Sequence, residues 1–176
     1  MQADHYEWTR ERLARAGYEQ YEISNWSRPG YRCAHNLTYW QCREYLGLGA
    51  GAHSYLDGVR FAVADAPAQH MTLVEQSWRE AQEGDGSARM RQVVSGETVT
   101  PELAMSDALI LGLRLLEGVG LADFRAHFGV ELMDVVGERL AEPIASGLVE
   151  VASDRLRLTE RGLLLSNEVF VRLLPE

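Results

Sequence analysis

The feature that most constrains the fold of this chain is the glycine punctuation of its C-terminal half. Thr100-Pro101-Glu102 reads as an N-cap followed by proline at the first helical position. The run behind it carries Ala108, Leu109, Leu111, Leu113, Leu115 and Leu116, apolar nearly all round, so this helix is expected to be buried. Gly118 closes it. A short helix over 121–127 stops at Gly129, and a third over 131–146 stops at Gly147, with Pro143 expected to distort its last turn. Leu148-Val149-Glu150-Val151 and Arg155-Leu156-Arg157-Leu158 read as two short strands joined by Ala152-Ser153-Asp154. Thr159 caps a closing helix carrying Leu163, Leu164, Val169, Phe170, Leu173 and Leu174. Three helices, a hairpin and a closing helix predict a winged-helix-like domain over residues 98–176.

The first half has a different rhythm. Residues 4–16 carry Tyr6, Leu13 and Ala16 near one helical face, and Gly17 is a natural stop. Tyr18 to Ile23 alternates well enough for a strand, so helix, glycine and strand together suggest an α/β unit that begins abruptly. Ser24 to His35 reads as loop around Pro29-Gly30. Tyr45 to Tyr55 reads as a short apolar strand running into a glycine-rich loop, and Asp57-Gly58 as a hairpin turn between Ser54-Tyr55-Leu56 and Val59-Arg60-Phe61. A helix over 68–82 is expected to end near Gly84-Asp85-Gly86-Ser87, the loosest stretch by composition.

Charge excludes several functions. The 176 residues hold 17 basic and 26 acidic side chains, a net charge of −9, and every basic residue is arginine. There is therefore no lysine for a Schiff base, a phosphate loop or general-base work. Residues 104–176 carry seven arginines against twelve acids, and the third helix of the unit sets Arg139 among Glu131, Asp134, Glu138 and Glu142. Phosphate repulsion along that face argues against duplex docking, so no nucleic-acid partner is expected. No run approaches the ~20 apolar residues of a membrane span. The N-terminus shows neither the basic nor the apolar region of a secretory signal. Two unpatterned cysteines point to a reducing compartment, so the cytoplasm is the expected location.

Three blocks carry an identity. They are Gly17-Tyr18-Glu19-Gln20-Tyr21-Glu22-Ile23-Ser24-Asn25-Trp26-Ser27-Arg28-Pro29-Gly30, His35-Asn36-Leu37-Thr38-Tyr39-Trp40 and Tyr45-Leu46-Gly47-Leu48-Gly49-Ala50-Gly51-Ala52-His53-Ser54. Together they resemble the radical SAM proteins related to oxygen-independent coproporphyrinogen III oxidase. The H-N-x-x-Y-W element resembles the haem chaperone branch of that family more than the true oxidase. Leu111 to Gly118, Leu156 to Gly162 and Leu164 to Phe170 are similar to the family's C-terminal domain. The resemblance implies a mixed α/β (α+β) fold: the last strands and helices of a partial radical SAM (β/α) barrel over residues 1–97, then the winged-helix-like domain over 98–176. It also implies a [4Fe–4S] cluster and S-adenosylmethionine in the parent protein, and haem or a porphyrin as partner.

The departure from the family is in the cysteines. The family's hallmark is a C-x-x-x-C-x-x-C loop, whereas Cys33 and Cys42 are the only cysteines here and match neither its spacing nor its place. The chain is thus expected to be the C-terminal part of such a protein, with the cluster-bearing N-terminal half as its missing partner. Alone it is expected to bind no cluster, to hold no metal, to contain no catalytic residue and to lack radical SAM activity. Three functions stand side by side: part of a haem chaperone, part of an oxidase that decarboxylates coproporphyrinogen propionates, or a non-enzymatic interaction module built on 98–176.

Candidate sites follow from chemistry and resemblance together. His35 is a candidate axial haem ligand, with Asn36 beside it and Tyr39 and Trp40 as stacking surfaces. The alternative is that His35 and Asn36 hydrogen-bond loop carbonyls while the two aromatics pack beneath. Arg28, Arg32 and Arg43 form a loose basic group suited to propionates, or simply solvated loop arginines. Haem binding by this chain alone is expected to be weak or absent. Glu22 and Asn25 end a predicted strand on the ligand side, where a carboxylate–amide pair suits the amino-acid end of S-adenosylmethionine, with a buried structural hydrogen bond as the alternative. Gly47, Gly49 and Gly51, followed by His53 and Ser54, either let a ligand approach the backbone or serve as plain turn residues. His70 and His127 read as surface or packing residues.

Overall fold

A computed structural model describes residues 2–83 and 90–175. The stretch Gly84–Ser87, expected to be the loosest of the chain, lies outside the described residues. In chain order the elements are α1 (Gln2–Arg15), β1 (Glu19–Glu22), β2 (Asn25–Ser27), α2 (Ala34–Trp40), β3 (His53–Leu56), β4 (Val59–Val63), α3 (Pro67–Glu83) and β5 (Val93–Thr98). They continue with α4 (Pro101–Gly112), β6 (Val119–Gly120), α5 (Leu121–Phe128), α6 (Leu132–Ala145), β7 (Val149–Ala152), β8 (Arg155–Leu158), α7 (Glu160–Leu164) and α8 (Ser166–Phe170), ending in a 3-10 turn over Val171–Leu173. The result is a mixed α/β chain with small sheets.

These elements gather into two compact units. One is discontinuous, combining the residues up to Cys42 with those from Pro101 onward; the other spans Arg43–Thr100.

The core of the discontinuous unit follows directly from helical periodicity. In α6, Leu132, Val136, Leu140 and Pro143 are buried on one stripe, and the core they join includes Leu109 in the last turn of α4 and Leu113 just after it. Phe124 of α5, Leu156 and Leu158 of β8 and Val169 and Leu173 of the C-terminal turns complete the cluster. Fully burying one such side chain is worth roughly 1.5–3 kcal/mol. Strand β8 lies between β6 and β7, both antiparallel to it, with Val119 opposite Leu156 and Val149 opposite Leu158. The turn between β7 and β8 is made by Ser153 and Asp154, both at positive φ. Gly118 is required where it stands, because it has φ +67° and an added Cβ would run into the Leu156 carbonyl. Pro143 sits inside α6 without ending it, and its carbonyl accepts from the Leu148 N–H at 2.8 Å. The expected single closing helix is instead broken at Leu165, although Thr159 does cap its start, its Oγ1 accepting from the Gly162 N–H at 3.0 Å.

The first half departs further from its sequence reading. The strand expected over Tyr18–Ile23 forms, but it pairs antiparallel with β2, Glu19 facing Ser27 and Gln20 facing Trp26. Asn25–Ser27 had read as loop; it is a strand because the turn at Ile23 and Ser24 folds it straight back on β1. The segment 34–40, also taken into a loop at its start, is a helix. Tyr45–Gly51 is not a strand: only Tyr45 bridges, to Tyr55, and Gly49 and Gly51 adopt positive φ (98° and 71°) that a strand does not tolerate.

The Arg43–Thr100 unit is built on a three-stranded antiparallel sheet in the order β3-β4-β5. The hairpin expected at Asp57-Gly58 is present, with both residues at positive φ and Leu56 opposite Val59. Among the described residues no helix is long and apolar enough to cross a membrane.

Candidate functional site

The H-N-x-x-Y-W segment is helical, and that splits its four named residues into two pairs spaced by four. His35 and Tyr39 share one face of α2, Asn36 and Trp40 another. The outward pair makes an edge-on ring contact with centroids 4.8 Å apart, His35 being exposed and Tyr39 half-buried. The inward pair reaches the strand and helix beneath. Asn36 donates from Nδ2 to the Tyr21 hydroxyl at 3.4 Å, and the Arg114 guanidinium lies over the Trp40 ring, 4.4 Å from its centroid.

Arg114 sits in the segment that follows α4, and this segment is fixed by backbone pairing to β1. The Ile23 N–H donates to the Arg114 carbonyl at 3.0 Å, the Leu116 N–H to the Tyr21 carbonyl at 3.1 Å, and Glu22 bridges Leu115. The pairing brings the Arg114 Nη2 to 3.8 Å from Glu22 Oε2. Glu22 is fully buried, and its Oε1 accepts from Asn25 Nδ2 in a short hydrogen bond. Three buried polar atoms in this cluster have no hydrogen-bond partner: Glu22 Oε2, Arg114 Nε and Trp40 Nε1. The structure therefore brings Glu22, Asn25, Asn36 and Trp40 together around Tyr21 and Arg114, with His35 and Tyr39 on the other face of α2. The buried hydrogen bond weighed for Glu22 and Asn25 is formed.

The arginines are arranged less simply. Arg32 stacks over the Tyr21 ring at 5.9 Å and lies 3.7 Å from Glu117, while Arg28 lies over Tyr18 at 5.8 Å. Arg28 and Arg32 are both exposed; Arg43 belongs to the other unit. Cys33 is exposed at the start of α2, Cys42 is half-buried, and neither is in a disulfide.

Gly47, Gly49, Gly51 and His53 lie in the Arg43–Thr100 unit. The Gly47 N–H donates to the buried Ser54 Oγ at 3.0 Å, and a Cβ at Gly47 would collide with the His53 carbonyl, so this position needs glycine for close approach. Gly47 and Gly49, with Leu46, Leu48, Phe61 and Met90, line an apolar cleft of about 200 Å3. Gly51 and His53 are exposed, His53 paired across the hairpin with Ala62. His70 also lines the cleft, and its Nδ1 is buried without a partner.

Among the described residues no group of three or more His, Cys, Asp or Glu side chains is placed to hold a metal ion. With two cysteines, one exposed and one half-buried, the donors present do not fit a [4Fe–4S] cluster, which takes three or four thiolates.

Sequence reading missed Arg114 as part of this site. The signal was available: an arginine inside the run Leu111–Leu116, otherwise apolar but for Gly112, must either reach solvent or find a buried partner. Tyr21 is buried and its hydroxyl accepts from Asn36.

A family profile described as the HemN C-terminal domain matches residues 99–165. The chain is 32% identical to the heme chaperone HemW of Lactococcus lactis, an alignment covering 98% of this chain and 42% of that protein. It is also 32% identical to the heme chaperone HemW of Bacillus subtilis, covering 100% of this chain and 43% of that protein. A solved coproporphyrinogen III oxidase (HemN) from Escherichia coli, described as a radical SAM enzyme, superposes with a TM-score of 0.66 at 16% identity, covering 95% of this chain and 39% of that one. That likeness shows the fold alone. Residues 99–165 thus form a HemN C-terminal domain, and the chain aligns over nearly its whole length with proteins named heme chaperone HemW. It spans about two fifths of the length of those relatives.

Proposed function

We propose that this chain is the C-terminal part of a haem chaperone, receiving haem or a porphyrin on the outward face of α2. The observation that carries the reading is the division of the H-N-x-x-Y-W helix: Asn36 and Trp40 anchor it inward, which leaves the His35 imidazole exposed with Tyr39 against its edge. A neutral imidazole held in this way is a competent axial ligand for haem iron, and a ring beside it offers a surface for the macrocycle. Arg28 and Arg32, exposed nearby on the same stretch of chain, are the candidates for the propionates. The iron supplies the coordination; the chain supplies one imidazole, an aromatic wall and two guanidinium groups.

In the same reading Glu22 and Asn25 form a buried pair rather than a contact to S-adenosylmethionine, because both partners of the Glu22 carboxylate come from the chain itself. Gly47 and Gly49 keep a ligand-lining role through the apolar cleft; Gly51 and His53 serve the turn and the hairpin. No cluster chemistry is assigned to this chain. Residues 1–97 are read as the end of a partial barrel, supported by the fold shared with the oxidase. Residues 98–176 are read as winged-helix-like, supported by the order helix, strand, two helices and hairpin and by the sheet order β6-β8-β7. The haem chaperone is preferred to the oxidase because the Lactococcus lactis and Bacillus subtilis relatives, aligned over 98% and 100% of this chain, carry the chaperone name.

Haemin titration of the purified chain tests the proposal. Low-affinity binding with a Soret shift that disappears in His35→Ala is expected. Identical spectra for the two proteins would remove His35 as a ligand.

A further inference from the structure

We propose that Arg114 is the positioning residue for the H-N-x-x-Y-W helix, setting the rotation of α2 and hence the direction of the His35 imidazole; its haem consequence rests on the reading above. Helix α2 has little to hold it in place by itself. It has seven residues, no buried side chain and no side-chain cap at Cys33. Helices this short are marginal in water without tertiary support. Its inward contacts supply that support, among them the Arg114 guanidinium over Trp40 at 4.4 Å.

The guanidinium is itself held from two directions. Its backbone is paired to β1 through the Ile23 N–H, and its Nη2 faces the buried Glu22 carboxylate at 3.8 Å. Asn25 takes the other carboxylate oxygen. The sequence is thus a chain of contacts, Asn25 to Glu22 to Arg114 to Trp40, running from the β1–β2 hairpin to the last residue of α2. Glu22 acts here as the anchor of a guanidinium. Only a planar cation presents a face to an indole and an edge to a carboxylate together, so lysine does not replace this arginine. Because Trp40 and Asn36 lie on one face and His35 and Tyr39 on another, locking Trp40 fixes where His35 points.

The test compares four forms of the full chain in haemin titrations, with circular dichroism and melting as folding controls. They are wild type, His35→Ala, Arg114→Lys and the pair Arg114→Met with Glu22→Gln, which removes both charges at once. Arg114→Lys and the double variant are expected to fold and to bind haemin about tenfold more weakly than wild type. A folded Arg114→Lys or double variant with wild-type affinity overturns the positioning role while leaving the haem reading intact. Should wild type and His35→Ala titrate alike, the haem reading fails, and hydrogen exchange then decides the positioning claim. Faster exchange of the α2 amides in Arg114→Lys upholds it, and unchanged exchange overturns it.

Discussion

At the scale of single residues, the site is governed by how a buried carboxylate is satisfied. Glu22 has no exposed surface, so its carboxylate meets Asn25 and Arg114 in place of water. Removing one partner of a buried ion pair strands the other, whereas removing both at once largely does not. Arg114→Ala alone is therefore expected to destabilise the chain by about 3–5 kcal/mol in urea unfolding, with much of that loss recovered when Glu22→Gln is added. Equal losses in the single and double variants would show that the two side chains do not act as a pair. The composition of the β1 region announced polar chemistry at Glu22 and Asn25, but not its partner. Arg114 lies far along the chain, and no local pattern connects it to Glu22; that link exists only through the pairing of β1 with Leu115.

At the scale of elements, legibility followed how local the determining forces are. The hairpin turns at Asp57-Gly58 and Ser153-Asp154 were readable because the turn residues themselves carry the required positive φ. The α6 stripe was readable because periodicity is a property of the segment alone. Helix α2 was missed for the opposite reason: seven residues give barely two turns, its start lacks a capping side chain, and its stability comes from elements remote in sequence. Strands β2 and β5 escaped notice likewise, since their pairing rather than their alternation defines them. The absent cap leads to a prediction. Cys33 already has the extended backbone (φ −66°, ψ 109°) of an N-cap, so Cys33→Asp is expected to add about 0.5–1 kcal/mol to stability by accepting from the free N–H groups of α2. Urea midpoints and slower exchange of the α2 amides check it; a neutral or destabilising change would mean the helix start is not limiting.

At the scale of the whole molecule, the two units differ in what holds them. The discontinuous unit has an extended cluster of buried leucine, valine and phenylalanine side chains, while the buried apolar residues of Arg43–Thr100 are Val63 and Ala64 among those described. Its longest helix, α3, has no buried residue, and Met71 and Trp78 on it are exposed. Opening free energies track buried apolar contact, so amides of β3, β4 and β5 are expected to exchange faster than those of α4, α6 and β8. Uniform protection across the chain would contradict this. None of it was visible in the sequence, where residues 1–97 read as one continuous stretch; assigning the first 42 residues to the C-terminal unit required knowing that β1 meets Leu115.

That discontinuity bears on how the protein is made. A ribosome releases β1 and α2 well before the segment that completes them, with roughly 90 residues, on the order of 5–20 s of synthesis, between Glu22 and Arg114. During that interval the nascent chain carries a carboxylate destined for burial and a tryptophan without its cation, while the intervening unit emerges whole. Helix α2 is thus translated well before the segment that sets it in place.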